Sequence, residues 1–247
     1  MTKIAQKTTS KRPEAKAQIA RGASIETIFL KIREMIVYGR LAPGSWIIEG
    51  DIAERLGVSR TPVRHALQWL EHEGYLLALG SGPKSRMTVA PLTEQDALEA
   101  CRIVGHMEGL AGRLAAALPE QKRSVMVKRL RQLNAQMRKI LNTRNGDMRG
   151  FFDADTSFHS IIAEATGGAR FLSIYNGIKP HTERYWWLYA TSLNEDDKSS
   201  IEEHTEIIAA IENGNPDEAE KALQSNWENG ARRLVKLIAK FGERGNW

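Results

Sequence analysis

The stretch EGDIAERLGVSRTPVRHALQWLEHE, residues 49–73, decides the fold at the N-terminal end of this 247-residue chain. Helix-forming residues run over 49–56, a Gly-Val-Ser turn follows at 57–59, and a second helical pattern occupies 60–73. Two short helices joined by a tight turn containing glycine make a helix-turn-helix. Ser59 is placed to cap the second helix, which puts Arg60, Thr61, Pro62, Val63 and Arg64 in its first turn. Pro62 is tolerated there because the earliest helical N–H groups have no intrahelical partner. Arg60 and Arg64 are four residues apart and share one face, which Gln68 extends by a turn. Val63, Ala66, Leu67 and Leu70 lie opposite and are available for packing. Guanidiniums at the start of such a helix, beside the Thr61 hydroxyl, reach phosphates and guanine O6 and N7 in a major groove.

The flanking sequence completes this unit. Ser24 reads as the N-cap of a helix over about 25–39, with Ile25, Ile28, Phe29, Ile32, Ile36 and Val37 as its apolar stripe. The LAPG segment at 41–44 breaks that helix, and Trp46–Ile48 is a short extended stretch. The runs YLLAL (75–79) and MTV (87–89) flank GSGPKSR (80–86), the pattern of a two-stranded hairpin whose tip carries Lys84 and Arg86. Charge agrees with this placement. Residues 1–90 hold 14 Lys/Arg against 8 Asp/Glu, whereas the remainder holds 21 against 22. The whole net charge of +5 therefore lies in the first third, the mark of a unit that faces a polyanion such as duplex DNA.

At this point the chain resembles a known family. IREMIVYGRLAPGSWI (32–47) through DIAERLGVSRTPVRHALQWLEHEGYL (51–76) is similar to the winged-helix domain of GntR-family bacterial transcription regulators, with LGVSRTPVR its most specific part. The resemblance implies operator contacts from Arg60 and Arg64, and a hairpin that acts as a wing near the minor groove. Three departures bear on base preference. His65 stands where an acidic residue is common, Gly50 stands where some members carry a DNA-contacting arginine, and the wing reads GPKSR instead of a Gly-rich pattern.

The length favours two domains. Residues 1–22, basic and poor in large apolar side chains, read as a flexible tail; 23–91 form the winged helix-turn-helix; 92–247 form an all-helical effector-binding and dimerisation domain. Six helices are expected in that last part, at about 93–117, 119–141, 147–167, 169–190, 199–213 and 216–241, which describes a helical bundle and makes the fold mainly α. No apolar run approaches the roughly 20 residues needed to cross a bilayer. The basic N-terminus lacks the apolar core of a secretory signal. A lone cysteine, Cys101, fits a reducing cytoplasm, so membrane, secreted and disulfide-scaffold classes are set aside.

Within the bundle, Asp155 and His159 are four residues apart on one helix, and His204 lies on a later one beside Ile201, Ile207, Ile208 and Ile211. A carboxylate and two imidazoles suit a divalent ion such as Zn²⁺, Ni²⁺ or Mn²⁺. HMEGLAGRLAA (106–116), FHSIIAEATGG (158–168) and EEHTEIIAAIENGNPDEAEKAL (202–223) resemble the FCD effector domain of one GntR subfamily. That resemblance implies a metal held by one Asp and three His. Asp155, His159 and His204 match three of these positions, and the fourth falls at Asn226, whose amide oxygen is a poorer ligand than imidazole.

The resemblance also implies a small organic acid or related metabolite as effector. Arg184 is a candidate carboxylate clamp, since guanidinium pairs bidentately with carboxylates. An arginine expected four residues before Glu108 is replaced by Val104. Arg102, His106 and His181 are further candidates, and Tyr185, Trp186, Trp187 and Tyr189 are candidates for an aromatic wall. The expected protein is a homodimeric, cytoplasmic, metabolite-responsive repressor that binds a two-fold-related DNA operator and is not an enzyme. The alternative is a helical metal-dependent hydrolase using Asp155, His159 and His204, with Glu164 or Glu203 as base.

Overall fold

In the computed structural model, which describes residues 23–80, 86–143, 146–189 and 198–245, Ser24 opens α1 (Ile25–Val37) by accepting the Thr27 amide at 3.1 Å. β1 (Trp46–Ile47), α2 (Glu49–Leu56) and α3 (Arg60–His72) follow. Gly57 stands between the two helices at φ 73°, the left-handed conformation that glycine adopts without a Cβ penalty. Ser59 occupies the N-cap position of α3, yet its side chain makes no capping bond. Such a bond goes to the amide of the second or third helical residue, and the third is Pro62, which has none.

β2 (Leu76–Leu79) and β3 (Arg86–Val89) pair antiparallel as the expected hairpin. β1 adds to the free side of β3, with Trp46 opposite Thr88, so the wing is a three-stranded sheet in the order β1-β3-β2. Ile28, Phe29, Ile32, Leu56, Val63, Leu67, Leu70 and Leu76 pack into one core beneath these elements.

The remaining described elements are α4 (Glu94–Ala116), α5 (Glu120–Leu141), α6 (Met148–Thr166), α7 (Ala169–Tyr189), α8 (Lys198–Glu212) and α9 (Pro216–Phe241). Thr93 and Asn215 cap α4 and α9 by accepting the Asp96 and Glu218 amides. Asp147 stands at the start of α6 without such a bond. The bundle core runs through Leu130, Met137, Phe158, Ile162, Ile207, Ile211 and Leu223. Long helices α4 and α9 lie close because Gly105 faces Trp227: a Cβ there would stand 2.8 Å from the Trp227 Cβ.

A proline joins the two units. Pro180 lies inside α7 and has no N–H for the Asn176 carbonyl four residues earlier. That carbonyl instead accepts from Arg33 of α1 at 3.3 Å. Nearby, Tyr75 stacks on His181 with ring centroids 4.0 Å apart, and the buried Arg184 guanidinium donates to the Ala90 carbonyl at 2.7 Å. Tyr38, at the end of α1, meets Trp187 and Phe152 edge-on. The end of α9 returns to the connector between the units. Leu92 and Arg244 exchange backbone hydrogen bonds of 2.8 and 3.1 Å, and the Glu94 amide donates to the Glu243 carboxylate at 2.9 Å.

Candidate functional site

The helix-turn-helix presents one polar face. Arg60, Thr61, Arg64 and Gln68 are all exposed along α3, while Val63, Ala66, Leu67 and Leu70 on its other side are buried. The Arg60 guanidinium lies over Gly50, which has no side chain to displace it: an added Cβ would sit 3.4 Å from the nearest Arg60 nitrogen. Arg64 is held by Glu49 of α2 through contacts of 3.0–3.2 Å from Nε and Nη2, and this pairing raises the Arg64 pKa further. Both guanidiniums are thus oriented by α2 while remaining open to solvent. Arg86 begins β3 and lies 5.4 Å over the Trp46 ring. Lys84 and the basic segment 1–22 lie outside the described residues.

The bundle holds a second polar site. Asp155 and His159 of α6 and His204 of α8 bring one ligand atom each to within 4.8 Å of one another. The His204 Nε2 stands 3.6 Å from Asp155 Oδ1, and its ring stacks on Phe158. Burial, reinforced by the His159 and Arg233 charges, pushes His204 well below the ordinary 6.5, so it is a neutral imidazole near pH 7. Both of its ring nitrogens are buried without a hydrogen-bond partner. A buried polar group without a partner is costly, and a cation between His204, His159 and Asp155 would satisfy it. The residues present therefore fit a divalent ion.

His159 is prepared for the same task from the other side. Its Nδ1 donates to Glu108 Oε2 at 2.5 Å, leaving Nε2 to face a ligand. Glu108 is fully buried and also accepts from Tyr175 Oη and Trp227 Nε1, each at 2.7 Å. Burial alone would raise its carboxyl. His159, Lys179 and the Trp227 N–H outweigh that and bring it down to about 2. Phe151, Phe152, Trp186, Trp227 and Gly230 wall the cleft, and Asn226 and Arg233 line it alongside Asp155 and His159. Glu203 stands behind that wall, accepting from both Arg233 terminal nitrogens, from Asn226 and from Asn229.

Several candidates fall elsewhere. Arg184 does not line this cleft: it is buried at the junction with the winged unit, where its acceptor is a backbone carbonyl. Tyr185 is buried there too, bonded to Asp96 and to the Thr93 amide. His181 is stacked on Tyr75, and burial with the neighbouring Arg184 charge lowers it to about 4. Arg102 and His106 line a separate groove between α4 and α9, where His106 meets Gln224. Trp187 contacts Tyr38 and Phe152 behind the wall, and the Tyr189 side chain lies outside the described residues. Of the two bases considered for a hydrolase, Glu203 is clasped by four donors and Glu164 is exposed on α6, away from the cleft lining.

Comparison with known proteins matches residues 24–82 to the bacterial regulatory proteins of the gntR family and residues 99–229 to the FCD domain. The chain is 32% identical over 202 residues to the "Probable D-xylose utilization operon transcriptional repressor" of Paenarthrobacter nicotinovorans, covering 80% of this chain and 84% of that protein. It is 25% identical over 225 residues to the HTH-type transcriptional repressor NanR of Escherichia coli, covering 84% and 83% of the two chains. Among solved structures, E. coli McbR/YncC aligns over 86% of this chain and 97% of its own, with a TM-score of 0.68 at 21% identity, a likeness of fold.

Proposed function

Because the chain belongs to the gntR family of bacterial regulatory proteins and carries an FCD domain, we propose that it is a repressor that leaves its operator when a small metabolite enters the bundle cleft. Members of this family regulate transcription and are not enzymes. No described helix is long and apolar enough to cross a membrane. The observation that carries the reading is the shared wall: Phe152 lines the cleft and also meets Tyr38, the residue that caps the C-terminus of the first winged-unit helix. A ligand that shifts Phe152 acts directly on the unit that bears Arg60, Thr61, Arg64 and Gln68.

Asp155, His159 and His204 would hold a divalent ion (Zn²⁺, Ni²⁺ or Mn²⁺) at the floor of that cleft. When bound, such an ion supplies a Lewis-acidic centre for an oxygen of the effector. The chain's own groups do the rest. Glu108 fixes the His159 tautomer, the aromatic rings exclude water, and the connector at Leu92 carries any displacement to the winged unit. A relative named for D-xylose utilization sets sugars beside organic acids as effector classes to screen.

A homodimer supplies the two reading helices that a two-fold operator needs. Ile103, Leu110 and Leu114 support it, being 41–46% exposed on one face of α4 at spacings of seven and four residues.

The test is Asp155→Ala. Metal affinity should fall by more than the roughly 10–100-fold that losing an outer partner of a ligand costs. Effector-induced release of DNA should disappear, while operator affinity without effector stays within about twofold. Metal content by plasma emission and DNA binding by fluorescence anisotropy measure both. Unchanged metal content together with an unchanged effector response would rule out this cleft.

A further inference from the structure

The amide of Asn226 has a sense that its neighbours dictate. It is 6% exposed and lines the cleft with Asp155 and His159. Its Nδ2 donates to Glu203 Oε2 at 2.8 Å. Glu203 is paired through both oxygens with Arg233, at 2.8 and 3.1 Å, and accepts from Asn229 Nδ2 at 3.0 Å. A carboxylate accepts and does not donate, so turning the Asn226 amide over would set two acceptors against each other. The hydrogen bond therefore commits the nitrogen to Glu203 and leaves the oxygen as the end available to the cleft.

We propose that Asn226 adds this amide oxygen as the fourth protein donor beside Asp155, His159 and His204, that Glu203 fixes its sense, and that the resulting set of two nitrogens and two oxygens narrows the advantage of Zn²⁺ over Mn²⁺. The assignment rests on the reading that a divalent ion belongs in this cleft. Imidazole suits zinc and nickel, whereas carboxylate and carbonyl oxygens suit manganese. Zinc binds a given site more tightly than manganese in general, so the effect is on the ratio of the two affinities and not on their order. An imidazole at position 226 would favour zinc much more than manganese. The amide gives that preference up. Glu203 is a positioning residue here, acting on the ion only through Asn226.

Competition titrations of Zn²⁺ and of Mn²⁺ against chromophoric chelators test this on the full chain, with circular dichroism confirming that each variant is folded. Asn226→His should strengthen Zn²⁺ binding at least about tenfold more than Mn²⁺ binding, and Asn226→Ala should weaken both by about tenfold. Glu203→Gln should weaken binding in the wild type but by less than about twofold in the Asn226→Ala background, since only a positioning effect vanishes with the residue positioned. An equal effect of Glu203→Gln in both backgrounds would reduce Glu203 to a charge acting at a distance. Wild-type affinity in Asn226→Ala, or an unchanged zinc-to-manganese ratio in Asn226→His, would overturn the role of Asn226 and leave the three-residue site standing. Absence of binding by the wild type would overturn both.

Discussion

Replacing Glu108 with alanine is expected to lower the unfolding free energy by at least about 3 kcal/mol, since three buried donors each lose their acceptor at roughly 1–3 kcal/mol apiece. The carboxylate is fully buried and terminates three donors from three helices: His159 Nδ1 on α6, Tyr175 Oη on α7 and Trp227 Nε1 on α9. Its loss leaves all three without an acceptor, next to a cavity that the surrounding helices fill only in part. Glu108→Gln keeps the volume but places an N–H₂ against one of these donors, and should cost about 1–3 kcal/mol.

The pH dependence has a definite sign. The folded carboxyl titrates at about 2, below its ordinary 4.5, so its contribution is complete above pH 4.5 and is lost as the pH falls toward 2. Wild-type protein should therefore lose more stability than Glu108→Gln across that window. Urea unfolding followed by circular dichroism measures both effects. A Glu108→Ala midpoint within experimental error of the wild type would refute this account of the site.

The second large effect belongs to the DNA face. Arg60→Ala or Arg64→Ala should weaken operator binding by roughly 5–150-fold if the residue reads a base. The double variant should lose at least about 25-fold, because the two guanidiniums stand one turn apart on the same face and are independently oriented, Arg60 over Gly50 and Arg64 against Glu49. Removing an arginine that reads a base relaxes discrimination at one operator position. Removing one that holds a phosphate weakens binding to all sequences alike and reduces the salt slope by about one unit. Anisotropy titrations at several salt concentrations separate the two, and wild-type affinity in both single variants would exclude α3 as the reading helix.

Much of the architecture was legible because it depends on local spacing. The apolar period from Ile25 to Val37, the Gly57 turn and the Asn215-Pro216 start each act within a few residues, and each appears where its local chemistry requires. The clustering of Asp155, His159 and His204 follows from one helical turn plus a topology in which α6 and α8 share a core. What escaped depends on distant partners. Glu108 stands among Val104, Gly105, Gly109, Ala111 and Gly112, a lone acid on a buried small-residue face, and that contrast was the available signal. Its partner His159 is 51 residues away. Arg184 reads as an effector clamp because guanidiniums seek carboxylates, yet its acceptor is the Ala90 carbonyl, and a backbone group leaves no mark in side-chain patterns. The third strand of the wing escaped for a similar reason, since Trp46 and Ile47 pair with a segment some forty residues on.

The exchange of hydrogen bonds between Leu92 and Arg244 makes the passage between the two units two backbones thick. One backbone alone would be a slack leash, letting each reading head drift over several base-pair steps. A doubled one is a bracket. In the homodimer proposed above, joined through α4, the separation of the two reading heads would become a rigid dimension of the molecule, and half-sites set apart by the wrong fraction of a helical turn would be rejected by stiffness, without any contact to the intervening bases.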